Sequence, residues 1–257
     1  MDFNKRPLMY IAGLIALREE DIWLPSFPRA GSTWVRFLLS NLISLTELDG
    51  QIVDYKIAAE IMPSLGRSNL HKSWNFKSSP RFIKTHQPYQ RFLFDIPQRV
   101  AYIIRDPRDI MMSYFHYRKA RRKNPFRGNF TEFIRHPKYG LRACIQHYVT
   151  WRPHITHLIR YEKLKCDTSS EIRKIIHIFG LETHEKNIEI AVHRSSFDQM
   201  RAFAVQRRHA KRSSQDGFIT ARKGQTNQWP EYFSDKDLNL YRQLCRELNF
   251  NLSIECD

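Results

Sequence analysis

"SFPRAGSTW", residues 26–34, joins the apolar run "DIWLPSF" at 21–27 to a second apolar run in which Val35, Leu38, Leu39 and Leu42 recur at helical spacing. The pattern reads as strand, tight turn, helix. Gly31 permits close backbone approach at the turn, and the helix start adds unpaired N–H groups and a positive dipole end. Such a loop suits one phosphate. The Gly-Lys-Ser/Thr ending of a nucleotide-binding P-loop is absent, which removes the lysine and the magnesium-binding hydroxyl of a nucleoside-triphosphatase. The plain alternative is a tight strand-to-helix turn whose Arg29 has no function.

Outward from this loop, short β-rich runs recur as "RFIKTH" at 81–86, "RVAYIIR" at 99–105 and "ITHLIRY" at 155–161. Helical patterns alternate with them. Ile172, Ile175, Ile176 and Phe179 share one helix face. Leu238, Tyr241, Cys245 and Leu248 share another, with Ser234 and Asp235 as cap candidates. This alternation predicts an α/β fold, a central parallel sheet flanked by helices. No repeat or linker divides the chain, so residues 1–257 read as a single domain. Ligands of such sheets bind beyond the carboxyl ends of the strands. Three charged, weakly periodic segments, roughly 55–80, 118–138 and 201–221, read as lids or acceptor-binding loops.

The chain is strongly basic, with 42 Lys+Arg against 26 Asp+Glu and a net charge of +16. Its pI is near 9.9. That balance predicts an anionic partner or a solvated basic surface. Cys144, Cys166, Cys245 and Cys256 form no metal-ligand spacing and read as reduced thiols of a cytoplasmic protein. "KRPLMYIAGLIAL" at 5–17 is short for a membrane span and lacks a small-residue cleavage site, so a buried N-terminal helix is expected. Neither a membrane nor a nucleic acid is an expected partner.

Three further stretches carry chemistry. "FIKTHQP" ends a strand on Lys84, Thr85 and His86, where an imidazole can reach a cleft and accept a proton. "YIIRDPRDIMMSYFHY" places Arg105 at a strand end and Ser113 two turns into the next helix. The planar fork of Arg105 suits a phosphate, and an ion pair with Asp109 is its alternative. "ARKGQTNQW" offers Arg222, Lys223 and Gly224 as a basic nest.

Taken in order, these stretches resemble the sulfotransferase family that uses 3′-phosphoadenosine-5′-phosphosulfate (PAPS). The family's 5′-phosphosulfate loop, Tyr-Pro-Lys-Ser-Gly-Thr-Thr-Trp, is similar to "FPRAGSTW", and its Lys-Thr-His strand to "IKTH". Its Arg and Ser eight residues apart match Arg105 and Ser113, its Arg-Lys-Gly matches 222–224, its Tyr-Glu pair matches Tyr161-Glu162, and its Ser-Phe-x-x-Met run resembles "SSFDQM". The likeness spans about residues 20–249.

The resemblance implies a P-loop nucleotide-kinase-like sulfotransferase fold and sulfuryl transfer from PAPS to a hydroxyl or amine, leaving PAP, with no metal required. It implies His86 as base, Arg29 stabilising the leaving phosphate oxygen, Lys84 assisting, and Ser113 restraining the loop's cation while contacting the 3′-phosphate. The loop Arg29, Ala30, Gly31, Ser32 and Thr33 would hold the 5′-phosphosulfate. Trp34, Tyr161, Phe197 and, with the Ser-Phe-x-x-Met run, Ser195 and Met200 would surround the nucleotide. Arg105, Arg222, Lys223 and Gly224 would grip the 3′-phosphate.

Two departures stand out. Arg29 replaces the family's usual lysine with a bulkier planar cation. The Lys-x-x-x-Thr-Val-x-x-x-Glu dimer motif of many animal members is absent after 224, so no oligomeric state is carried over. A small-molecule acceptor is expected. The alternatives are an acidic glycan acceptor, a nucleotide- or polyanion-binding protein that has lost its chemistry, and a kinase of similar topology. The last is disfavoured by the missing lysine.

Overall fold

The computed structural model describes residues 5–91, 99–122, 124–210 and 224–251. Four strands, β1 (Ile22–Pro25), β2 (Phe82–Thr85), β3 (Arg99–Ile104) and β4 (His157–Arg160), form one sheet in the order β2-β1-β3-β4. Every pairing is parallel: Pro25 lies opposite Thr85, Ile22 opposite Arg99 and Ala101 opposite His157. The chain leaves β1 toward β2 on one side and returns on the other for β3. That reversal creates a crevice at the carboxyl end of β1, where α/β sheets take their ligands.

The helices in chain order begin with α1 (Lys5–Ile15), α2 (Ser32–Glu47), α3 (Tyr55–Ile61), α4 (Pro107–Lys119) and α5 (Phe130–Arg135). They continue with α6 (Leu141–Trp151), α7 (Tyr161–Cys166), α8 (Thr168–Phe179), α9 (Glu185–Arg194), α10 (Phe197–Ala210) and α11 (Asp235–Glu247). The expected faces are the buried ones. Val35, Leu38, Leu39 and Leu42 of α2 pack into the core with Trp23, Leu24, Phe82 and Ile103 of the sheet. Ile172, Ile175 and Phe179 of α8 are buried too. Ser234 caps α11 in a reciprocal box with Asp237.

At the amino end of the sheet, Arg81 pairs with Asp21 at 2.6 Å, both side chains at most 3% exposed. Its remaining N–H groups donate to the carbonyls of Leu70 and Ala16 at 2.8 and 2.9 Å. Every polar group of this pair is answered, as a buried charge requires.

Several expectations need correction. The segment 55–80 is not irregular throughout: Asp54 accepts from the amides of Lys56 and Ile57 and starts α3. Segment 118–138 likewise contains α5, opened by an Asn129/Glu132 capping box. Of 201–221, residues 201–210 continue α10, and 211–221 lie outside the described residues. Helix α1 is helical as expected but only half-covered: Gly13 faces Leu65 and Gly66, whereas Leu8, Ile11 and Ile15 are exposed. One face of a single helix is all that the body beneath can cover. Cys144 and Cys245 are free thiols, but Cys166 is disulfide-bonded, so the reading of all four cysteines as reduced fails at that residue; Cys256 lies outside the described residues. Among the described residues no helix is long and apolar enough to cross a membrane.

Candidate active site

The four strand ends deliver Ser26, His86, Arg105 and Tyr161 to one edge of the sheet. The loop above β1 is built on two left-handed residues, Arg29 at φ 78 and Gly31 at φ 105. A non-glycine residue held there costs on the order of 1–3 kcal/mol, strain that surrounding contacts must hold. One such contact is visible: Arg29 Nε donates to Ser113 Oγ at 3.1 Å, joining the loop to α4. The Arg29 guanidinium also lies 5.4 Å from the Tyr117 ring centre. Gly31 has no substitute, because a Cβ there would come within 2.5 Å of the Tyr161 ring. It is also the N-cap of α2 and supplies no side-chain cap, so the first amides of Ser32 and Thr33 lack one. A left-handed cradle with helix amides and a fixed arginine has the chemistry to receive an anion.

His86 is held by β1. Its Nδ1 lies 2.7 Å from the Ser26 carbonyl oxygen and 3.3 Å from Ser26 Oγ. Nδ1–H donating to that carbonyl leaves the Nε2 lone pair free. Burial, then the Lys84 charge, hold His86 well below the ordinary imidazole value, against the opposing Ser26 bond. The ring is therefore neutral near pH 7, the form that can accept a proton. Lys84, two residues earlier, is pushed down to about 7 by burial and then by Arg36, Arg67 and Arg29. Behind His86, α6 secures the chain: Trp151 Nε1 donates to the Gln87 carbonyl at 2.9 Å, and His147 Nδ1 bonds Tyr102 Oη at 2.8 Å.

Arg105 is enclosed at the end of β3. One N–H donates to the Gln225 carbonyl at 2.8 Å, and the guanidinium sits 4.5 Å over the Tyr161 ring. Its anticipated ion-pair alternative also exists, with Asp109 Oδ2 at 3.6 Å. Asp109 has other work: it accepts from the amides of Asn227, Gln228 and Trp229 at 2.7, 3.0 and 3.2 Å. Those bonds anchor the segment directly after 222–224 to α4. Gly224, at φ +62, lies so close to Phe197 that a Cβ would meet the ring at 2.7 Å. Trp34 meets Tyr161 edge-on at 5.6 Å between centres.

The geometry therefore gathers Arg29 with Ser113, Lys84 with His86, Trp34 and Arg105 with Tyr161, and Phe197 with Gly224. Arg222 and Lys223 lie outside the described residues. Two expected site residues are not presented to the edge by their own contacts. Ser195 is fully buried and its Oγ accepts from Asn41 Nδ2 at 3.1 Å, tying α9 to α2. Met200 is 5% exposed and belongs to the hydrophobic core. Sequence reasoning missed Ser26 as the partner that orients His86, and Asp109 as the anchor of the 225–229 segment. Both are contacts between residues at least 60 positions apart, which no local pattern announces. Among the described residues no group of three or more His, Cys, Asp or Glu is arranged to hold a metal ion.

The profile of the sulfotransferase domain matches residues 19–251. Human Sulfotransferase 6B1 is 26% identical over 228 residues, covering 85% of this chain and 72% of its own. Rat Sulfotransferase 2A6 is 25% identical over 268 residues, covering 95% and 89%. In fold, the chain is similar to mouse sulfotransferase SULT7A1 complexed with PAP, with TM-score 0.71 and 21% identity over 96% of this chain and 91% of that one. It is also similar to retinol dehydratase in a complex with retinol and PAP, with TM-score 0.67 and 18% identity over 97% and 86%. The phosphate-type loop, the histidine at the end of β2 and the domain match across nearly the whole length lead to one conclusion: the chain belongs to the sulfotransferase family.

Proposed function

We propose that the protein transfers a sulfuryl group from PAPS to a hydroxyl of a small-molecule acceptor, giving a sulfate ester and PAP. The observation that carries this reading is the pairing, at one strand edge, of a fixed Arg29–Ser113 anion loop with a neutral His86 whose Nδ1 is engaged by Ser26. PAPS supplies the activated sulfuryl group and a leaving phosphate oxygen. The loop Arg29–Thr33 and the start of α2 hold the 5′ end. Arg105 holds the 3′-phosphate with Arg222 and Lys223, and Trp34, Phe197 and Tyr161 enclose the base.

The acceptor oxygen forms its bond to sulfur as the bond from sulfur to the phosphate oxygen breaks. His86 Nε2 takes the acceptor's proton, and Arg29 stabilises the negative charge appearing on the departing phosphate. Lys84, close to deprotonation in the free protein, becomes fully charged beside the incoming anion and assists Arg29. None of these roles calls for a divalent metal. A small-molecule acceptor is supported by the retinol and androsterone bound in the retinol dehydratase structures.

The test is direct. Purified protein with PAPS and a panel of alcohols, phenols and amines is followed by mass spectrometry. An acceptor should gain the mass of one sulfuryl group while PAP accumulates in equal amount. PAPS left intact across the panel would contradict the proposal.

A further inference from the structure

Arg67 stands on a turn that is built in place at the carboxyl end of β2. Lys84 N donates to the Pro63 carbonyl at 2.9 Å and Leu65 N donates to the Lys84 carbonyl at 3.0 Å, so 63–65 runs alongside the strand as an extra bridge. The chain then turns sharply. The amides of Arg67 and Ser68 both donate to the Ser64 carbonyl, at 3.1 and 2.9 Å, and Ser64 N donates back to Ser68 Oγ at 2.9 Å. Gly66 occupies the apex at φ +69, where a Cβ would come within 2.8 Å of Tyr10. From α2, Arg36 clamps the same turn by donating to the Met62 carbonyl and to Ser64 Oγ at 3.0 Å each.

The outcome of this construction is an exposed Arg67 on the turn that the Ser64–Lys84 bridge fixes to β2. Lys84 and His86 both feel its positive charge, and no carboxylate figures among the influences on either. The other cations nearby are engaged: Arg29 with Ser113, Arg36 with the turn itself. Arg67 is paired with no carboxylate among the described residues. An unpaired arginine beside the base is a poor neighbour for a neutral acceptor, because it lowers the histidine's affinity for a proton. With an anion bound to it, the same arginine no longer opposes protonation of His86.

We infer that Arg67 binds an anionic group of the acceptor, so that the acceptor is a hydroxyl compound carrying a carboxylate or similar oxyanion a few bonds from the reacting oxygen. This rests on the sulfotransferase reading above, with His86 on the acceptor side. A small hydroxy acid and an acidic sugar share that chemistry, and both belong in the test.

The experiment measures binding to the protein saturated with PAP, by calorimetry, for two matched pairs: 4-methylphenol against 4-hydroxyphenylacetate, and glucose against glucuronate. In at least one pair the anionic member should bind tenfold or more tighter than the neutral one. Arg67→Gln should erase that preference and Arg67→Lys should keep part of it, each variant being measured at saturating PAP. Equal binding within both pairs, or a preference that survives Arg67→Gln, overturns the inference. Absence of PAP binding by the wild-type protein would instead sink the sulfotransferase reading.

Discussion

Two groups of cations at opposite ends of the sheet are treated in opposite ways. At the amino end, Arg81 is buried against Asp21 and two carbonyls, with a bond for each charge-bearing edge. At the carboxyl end, Arg29, Arg67 and Lys84 crowd together, Lys84 is pushed down to about 7, and no carboxylate lies among the influences on it. A satisfied buried cation specifies the fold. Cations crowded around Lys84 oppose its charge, and a bound anion would relieve that opposition. The difference separates charge that is answered inside the protein from charge that is proposed to await a ligand.

The contrast yields variants of decreasing effect. Asp21→Ala leaves the Arg81 guanidinium buried without its anion, so stability should fall by about 3–5 kcal/mol. Chemical denaturation would measure it, and PAP should still raise the melting temperature of whatever protein remains folded. A loss below about 1 kcal/mol would show the pair to be unimportant and weaken the contrast.

His86→Asn is the counterpart at the other end. Asn keeps a polar group near Ser26 but cannot take up a proton at neutral pH. Turnover should drop by about 10²–10⁴-fold, while PAP affinity and melting temperature stay close to wild type. Near-normal turnover would remove His86 as the base.

Lys84 predicts a pH dependence whose sign is fixed. Its folded pKa, about 7, lies below the ordinary lysine value of 10.5, so the unfolded chain holds a proton the folded site lacks between those limits. Lys84 therefore makes stability rise with pH across that window, and its unfavourable charge is present in full below about 7. PAP reverses the preference by favouring the charged amine. Binding should take up a proton above pH 7, and affinity should weaken by up to about tenfold per pH unit there. Calorimetry in buffers of different ionisation enthalpy reads the uptake directly, and Lys84→Met should abolish it.

Ser113→Ala gives the smallest change. It removes one hydrogen bond to a charged group, the bond that holds Arg29 in its left-handed position, and such bonds contribute about 1.5–3 kcal/mol. Competition from water at this half-open site reduces the cost, so PAP affinity should fall roughly five- to tenfold. An unchanged affinity would mean that Arg29 is positioned without the Ser113 bond.

The fold was legible where the chain speaks locally. Four apolar β-runs, the helical spacing of Val35 to Leu42 and the Ser234 cap each depend on neighbours within a few residues. The placement of the candidate site was legible where a motif sits after a strand, as for Arg29, His86 and Arg105. What stayed hidden depends on distant packing. Ser195 reads as a site residue, and its fully buried hydroxyl accepts from Asn41, 154 positions away, a contact no local pattern announces. Asp109 reads as a simple partner of Arg105, yet it collects three amides from a loop about 120 residues later. Arg67 sits in a stretch that reads as irregular, and the bridge from Ser64 to Lys84 ties its turn to β2. The exposed face of α1 was hidden for the same reason, since apolar residues show what a helix could bury and not how much surface is offered to it.

The carboxyl end of the sheet is proposed as a nucleotide site held by arginine and backbone, and PAP titration tests that most directly. Calorimetry on the full chain with EDTA present compares wild type with Arg105→Ala. Tight, EDTA-insensitive binding of PAP by the wild type, weakened at least tenfold by Arg105→Ala, is the predicted result. Binding that vanishes with EDTA, or that Arg105→Ala leaves unchanged, would contradict it.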